Sequence, residues 1–308
     1  MAATSARRSW HRHPADPSLL EARATTAAVE LLHKGEVVAL PTETVYGLAA
    51  DALNPIAVAK IFEAKERPRF NPLIVHLPDE QWLERVATVD DRSRAQIKKL
   101  IAQFWPGPLT LIFARQPIVP EIVTAGLDTV AVRMSSHPVF AELSGRIPLI
   151  VDAGPTTHGI ESTIVAVRGN KIDVLRRGPI TVEQLAEFGA IDIVSAPKTV
   201  SAPGQLPSHY APKTPLRLID NAESFALVKN RRVGLLTWNG FIPAERFAAV
   251  RILSEHQDLS EAAANLFRSL RELDDLDLDL IVAERVPAQG LGTAILDRLE
   301  RASHDSDN

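Results

Sequence analysis

The feature that most constrains the fold is a proline-rich break in the second half of the chain. Residues 195–215, SAPKTVSAPGQLPSHYAPKTP, hold five prolines and few large apolar residues. Each X-Pro bond biases the preceding residue toward extended backbone, so the stretch reads as an interdomain linker. A chain of 308 residues is also longer than one hydrophobic core usually supports. The expected organisation is a flexible arm at 1–17, a domain at 18–194, the linker at 195–215, a smaller domain at 216–303 and a frayed tail at 304–308.

Patterning on both sides of the linker indicates an α/β fold. Helical periodicity runs from Pro17 to Lys34, with Leu20, Ala24, Ala27, Ala28, Leu31 and Leu32 on one face and Gly35 as the stop. A short strand, Glu36–Leu40, ends at Pro41. Asn54-Pro55 caps a helix over Ile56–Ala64, expected to bury Ile56, Ala59, Ile61 and Phe62. Strands are expected at Pro72–His76, Leu109–Phe113, Thr129–Met134 and Ile147–Val151. Helices are expected at Gln81–Val86, Ser93–Phe104 and Thr181–Phe188. Gly169-Asn170 joins Ser162–Arg168 to Lys171–Leu175 as a hairpin. Beyond the linker, Arg232–Thr237 (strand), Leu259–Glu272 (helix), Leu278–Ala283 (strand) and Gly292–Arg301 (helix) form a small α/β layer structure.

Composition narrows the chemistry. A net charge of −4 gives no global field for nucleic acid, so an anion site must be a local cluster. The chain has no cysteine. That removes disulfides, thiol catalysis and cysteine–zinc sites, and it fits a cytoplasmic enzyme. No apolar run reaches the ~18–20 residues of a membrane helix. The basic N-terminus lacks the apolar core of a secretory signal, although a mitochondrial-type leader is an alternative.

Polar and cationic side chains gather at predicted strand and helix ends. Lys65, Arg67 and Arg69 lie in a proline-containing loop ahead of Asn71. They suit phosphate or carboxylate recognition, or they simply offset a helix dipole. Thr42 and Thr44 either bind a polar ligand or cap the turn after the first strand. Tyr46 reads as packing. His76 ends an apolar strand, where a satisfied core histidine is the plainer explanation. Arg133 stands on an otherwise apolar strand. It needs a carboxylate or anionic ligand as partner, or an exposed strand end. Asp128 and Thr129 start that strand. Gly159 to Thr163 suits either a close backbone approach to a ligand or a tight turn, and Arg176-Arg177 ends another strand. There is no GxxxxGK[ST] loop, no strand–GxGxxG–helix unit and no HExxH. Gly290-Leu291-Gly292 is only half a dinucleotide turn.

In order along the chain, PTETVYGLAADA, KERPRFNPLIVH, WPGPLTLI, AGLDTVAVRM, DAGPT, GIESTIV and LRRGPIT resemble the YrdC-like threonylcarbamoyl-AMP synthases. APGQLPSHYAPKTP resembles their interdomain linker. VGLLTWNG through GLGTAILDRLERAS resembles the extra domain of the two-domain members. The resemblance implies a YrdC-like twisted mixed or parallel sheet with flanking helices, followed by a smaller Rossmann-like α/β domain. It implies a nucleotidyltransferase that joins L-threonine, bicarbonate and ATP, with Mg²⁺ carried by the phosphates and no metal site of its own. The product would feed the threonylcarbamoyl modification of tRNA through downstream transfer machinery, with no membrane partner. By the same resemblance, Lys65 and Arg67 are catalytic, and Lys65, Arg67, Asn71, Thr129 and Arg176 bind ATP. Thr44, His76, Arg133 and Ser162 hold threonine, with Arg133 on its carboxylate. His209 and Tyr210 of the linker are expected near ligand.

Two departures accompany the resemblance. Family members carry a segment with SAN and then SPT between HP and DAGPT. Here HPVFAELSGRIPLIVDAGPT runs straight through, short by roughly 30 residues, the size of a βαβ unit. Pro207 also stands where a tyrosine usually precedes the HYAP group. The alternative function is therefore a threonine-, nucleotide- or RNA-binding module with weak or no catalysis.

Overall fold

The computed structural model describes residues 26–65, 68, 70–137, 156–194, 202–203, 211–227, 231–238 and 246–303. Within them, helix α1 (26–33) ends at Gly35, whose φ of 71° and amide bond to the Leu32 carbonyl complete the stop read from sequence. Strand β1 (Val38–Leu40) pairs antiparallel with β2 (Gly47–Ala49) as a separate two-stranded sheet. Strand β2 is not predicted by its sequence, because Gly-Leu-Ala has little intrinsic strand preference and is held by its partner.

Helix α2 (Pro55–Ala64) starts as expected, with the Asn54 side chain accepting from the Ile56 and Ala57 amides. Its buried face differs. Ala57, Val58, Ile61 and Phe62 are buried, whereas Ile56 is 74% exposed and Ala59 is half-buried. The Pro55 start puts Ile56 in the first turn, facing away from the sheet.

The large sheet has seven strands. Its strands are β3 (Ile74–His76), β4 (Ala87–Thr88), β5 (Leu109–Arg115), β6 (Thr129–Arg133), β7 (Thr163–Arg168), β8 (Lys171–Arg176) and β9 (Ala190–Ile193). The order is β3-β6-β5-β7-β8-β9, with β4 on the end of β5. It is mixed: β3/β6, β5/β7 and β8/β9 are parallel, and β5/β6, β7/β8 and β4/β5 antiparallel. Between strands lie a 3₁₀ turn at Glu80–Trp82, α3 (Leu83–Val86), α4 (Asp91–Phe104), α5 (Glu121–Thr124) and α6 (Val182–Ala186). Helix α4 buries Ile97, Leu100, Ile101 and Phe104 in the core that contains Leu111, Val132, Val165 and Ile172. The Gly169 hairpin is present, with φ of 61°. Strand β9, which its sequence pattern does not predict, is short and largely exposed. Tyr46, expected to pack, is 37% exposed. The expected strand at 147–151 lies outside the described residues.

The second domain has a four-stranded, all-parallel sheet in the order β10-β13-β11-β12. Its strands are β10 (Leu216–Ile219), β11 (Val233–Thr237), β12 (Ala249–Ile252) and β13 (Leu280–Glu284), flanked by α7 (Leu259–Asp274) and α8 (Gly292–Ser303). Strands β10 and β12 are additions to the sequence reading. Gly292 has a packing reason, since a Cβ there would lie 1.9 Å from the Pro287 carbonyl oxygen. Among the described residues, no helix is long and apolar enough to cross a membrane.

The α2 face gives a direct test. Ile56→Gln should change unfolding free energy by less than ~0.5 kcal/mol, and Phe62→Ala should cost about 3–5 kcal/mol, in urea denaturation. Equal losses would contradict the observed face.

Candidate active site

Strand register collects the polar residues at one end of the large sheet. The parallel β3/β6 pairing sets His76 beside Arg133. The antiparallel β5/β6 pairing sets Thr110 on the other side of Arg133. The parallel β5/β7 pairing aligns Leu109 with Thr163, so Ser162 enters at the same end. The antiparallel β7/β8 pairing brings Arg176 opposite Ile164. The C-terminal ends of β3, β6 and β8 thus meet the N-terminal ends of β5 and β7.

Arg133 is the centre of this end and is 3% exposed. Its Nη2 lies 2.6 Å from Glu43 Oε1, a close ion pair without good hydrogen-bond alignment. Its Nη1 donates to Thr44 Oγ1 at 2.9 Å, and its Nε donates to the Gly107 carbonyl at 3.1 Å. The other Glu43 oxygen accepts from Ser135 Oγ. The two threonines of the β1–β2 connection divide their roles. Thr42 Oγ1 accepts from the Thr44 and Val45 amides and donates to the Val45 carbonyl, so it caps the turn. Thr44 accepts from Arg133, and its hydroxyl is then the donor in the 2.8 Å bond to Thr42.

The electrostatics follow from burial. Burial alone would raise the Glu43 carboxyl, but the Arg133 charge and the Ser135 hydrogen bond outweigh it and hold it below its ordinary value. Burial presses Arg133 downward against the opposing Glu43 charge, and a guanidinium has ample reserve to stay protonated. Burial, then the Arg133 charge, push the His76 imidazole from 6.5 down to about 3. Burial also lowers His158, whose amide donates to the Glu43 carbonyl at 2.9 Å. The cluster is therefore a compensated charge pair flanked by neutral imidazoles.

A second cluster adjoins it. Ser162 Oγ lies 2.8 Å from Thr110 Oγ1 and accepts from Arg176 Nη2 at 3.0 Å. Arg176 Nε donates to the Ser162 carbonyl, and its Nη1 donates to the carbonyl of Pro203. The turn before β5 ties the clusters together: the Gly107 carbonyl accepts from Arg133 and the Pro108 carbonyl from the Thr163 amide. A Cβ at Gly107 would lie 2.5 Å from the Phe104 carbonyl oxygen, so this close turn needs glycine.

The expected site residues distribute unevenly. Thr44, His76, Arg133, Ser162 and Arg176 come together. Thr129 stands at the other end of β6, about 13 Å from Arg133 at ordinary strand rise. Asn71 is buried where the chain leads into β3, on the side away from His76. Lys65 is the exposed C-cap of α2. Arg67, His209 and Tyr210 lie outside the described residues, as does the 138–155 stretch that holds the shortened connection. Glu43, Ser135, Thr110 and His158 belong to the site but were not singled out from sequence. For Glu43 half of the signal existed: an arginine on an apolar strand demands a carboxylate, without saying which one.

Residues 30–147 match the Sua5, YciO and YrdC family described as "Telomere recombination", and residues 180–304 match "Threonylcarbamoyl-AMP synthase, C-terminal domain". The threonylcarbamoyl-AMP synthase of Bacillus subtilis is 37% identical, over 94% of this chain and 93% of its own length. The chain belongs to the threonylcarbamoyl-AMP synthase family. The synthase of Pyrococcus abyssi is 34% identical, over 90% of this chain and 93% of its own. A crystal structure of P. abyssi Sua5 complexed with L-threonine matches with a TM-score of 0.82 and 32% identity, covering 93% of this chain and 95% of that one. The two-domain organisation is thus that of the family. The B. subtilis comparison runs over 333 positions, 25 more than the 308 residues here, so that family member carries residues without a counterpart in this chain.

The pH dependence of stability reports on the cluster. With a folded value of about 3 against an ordinary 6.5, His76 is protonated first in the unfolded chain as pH falls. Its contribution is complete above 6.5 and lost from there toward 3. That of Glu43 is present above its ordinary 4.5 and lost as pH falls through its lower folded value. Melting temperature should fall from pH 6.5 to 4.5, and His76→Gln should flatten that slope. An unchanged slope in the variant would contradict the environment described for His76.

Proposed function

We propose that this chain makes L-threonylcarbamoyl-AMP and pyrophosphate from L-threonine, bicarbonate and ATP, for the N6-threonylcarbamoyl modification of tRNA adenosine. The observation that carries the reading is the buried Arg133–Glu43–Thr44 cluster, in a chain that belongs to this family over nearly its whole length. A fixed guanidinium beside a fixed carboxylate complements the carboxylate and ammonium of an amino acid. Threonine's carboxylate would take the Arg133 side, and its hydroxyl the polar groups of Thr44, His76 and Ser162.

In the reaction the threonine amine adds to bicarbonate, water leaves, and a carbamate forms. A carbamate oxygen attacks the ATP α-phosphate, the bond to the β-phosphate side breaks, and pyrophosphate departs. Such a transfer depends on positioning and charge neutralisation. Glu43 is held too acidic to be an effective base for the ammonium, which favours an orienting role for it. Arg176 is suited to nucleotide phosphate, and Lys65, Arg67, Asn71 and Thr129 complete the assignment to ATP, with Lys65 and Arg67 offsetting charge at the reacting phosphate. Thr129 and Asn71 lie away from the Arg133 end, which requires the nucleotide to extend along the sheet edge. Mg²⁺ would arrive on the ATP phosphates and neutralise their charge there. A chain without cysteine fits a cytoplasmic setting beside the tRNA transfer machinery that consumes the adenylate.

A second reading, ligand binding without turnover, is favoured by the positions that the B. subtilis relative has and this chain lacks. Pyrophosphate release from Mg-ATP decides between them. The synthase reading expects release that requires both threonine and bicarbonate. Saturable threonine binding with no threonine-dependent release would replace it with the binding-module reading.

A further inference from the structure

A second arginine is more deeply buried than Arg133 and lies in the other domain. Arg298 of α8 is 1% exposed. Its Nε donates to Glu161 Oε2 at 3.0 Å, its Nη1 to Asp297 Oδ2 at 2.7 Å, and its Nη2 to the Arg177 carbonyl at 2.9 Å. Two of these three partners belong to the first domain. Glu161 immediately precedes Ser162, and Arg177 immediately follows Arg176. Ser162 and Arg176 are themselves joined twice. The contacts therefore close a ring: Arg298, Glu161, Ser162, Arg176, Arg177 and back to Arg298.

The packing around the ring is equally tight. Ile160 is fully buried in the apolar cluster of the second domain, beside Leu236, Leu266 and Ile295. Gly159, at φ 68°, lies so close to α7 that a Cβ would fall 2.4 Å from the Ala264 Cα. A Cβ at Gly178 would fall 2.4 Å from the Thr163 amide nitrogen and 2.5 Å from the Glu161 carbonyl oxygen. One loop of the first domain is thus embedded in the second, and its next residue is a site residue. Burying a guanidinium brings a large desolvation cost that its ion pairs only offset, so net stability is a poor reason for it. What such an arrangement does supply is fixed geometry.

We infer that Arg298 is a positioning residue for the ligand site: through Glu161 and the Arg177 backbone it fixes Ser162 and Arg176, making site geometry dependent on docking of the second domain. The inference deepens the proposed synthase reading and rests on its assignment of Ser162 to threonine and Arg176 to ATP. It assigns α8 a role that its half dinucleotide-type turn did not reveal.

The test compares the native chain with Glu161→Gln, Arg298→Met and, as a control on the exposed Asp220–Arg285–Glu300 contacts, Arg285→Gln. In Glu161→Gln, amide exchange over 159–163 and 175–178 should quicken by about tenfold. The KM for threonine and for ATP should each rise by about tenfold while kcat moves less, as expected when ligand-holding groups lose registration. Arg298→Met should match or exceed these changes, and Arg285→Gln should leave them all at native values. Altered melting temperature with native exchange in both segments and native KM values would overturn the inference and leave Arg298 a purely structural contact. If Arg298→Met does not fold, Glu161→Gln decides. If the native chain releases no pyrophosphate, the synthase reading fails on its own; exchange and direct threonine titration then decide the clamp, with native exchange overturning it.

Discussion

A guanidinium cannot be enclosed in a protein without a counter-charge and acceptors for its N–H groups, and this constraint at Arg133 organises the first domain. Strand β6 carries Arg133 into the interior, so other parts of the chain must come to it. The β1–β2 connection brings Glu43 and Thr44, and the turn before β5 brings the Gly107 carbonyl. Ser135 and the chain at His158 then hold Glu43. Removing one member of such a buried pair costs about 3–5 kcal/mol, because the survivor is left charged and unmatched. The site is therefore built in place, with side chains already fixed before ligand arrives. Preorganisation of that kind suits a reaction whose barrier is lowered mainly by orientation and charge placement.

Arg133 and Arg298, both buried, stand on either side of the same polar line. Arg133 anchors the end formed by β3, β5 and β6. Arg298 anchors the end formed by β7 and β8, acting from the second domain. Thr110 and Ser162, 2.8 Å apart, join the halves. Pro203 takes part as well, through its carbonyl on Arg176. A two-domain chain is thereby given a defined relation between domains at the site itself.

Local chemistry was legible in the sequence, and long-range partnership was not. The Asn54-Pro55 cap, the Gly35 stop and the Gly169 hairpin each depend on neighbours a few residues away, and each is found where expected. The face of α2 was misjudged at Ile56 because helical periodicity alone cannot fix where the first turn points. Strands β2, β9, β10 and β12 were missed because three or four residues carry too weak a pattern without the partner strand. At the site, the need of Arg133 for a carboxylate could be read from its apolar strand. Which carboxylate could not, since Glu43 lies far from Arg133 along the chain and only the fold brings them together. The Glu161–Arg298 pair spans 137 positions, and only the domain packing reveals it.

The proposed role of Arg133, held by Glu43 and Thr44, is to anchor threonine. Titration of L-threonine into the native chain and into Arg133→Lys, followed by calorimetry, tests it most directly. Lysine keeps the positive charge but cannot reproduce three directed contacts from one planar group. Saturable binding to the native chain is expected, with at least about a tenfold weaker affinity for a folded Arg133→Lys chain. A folded variant that binds threonine as the native chain does would contradict it.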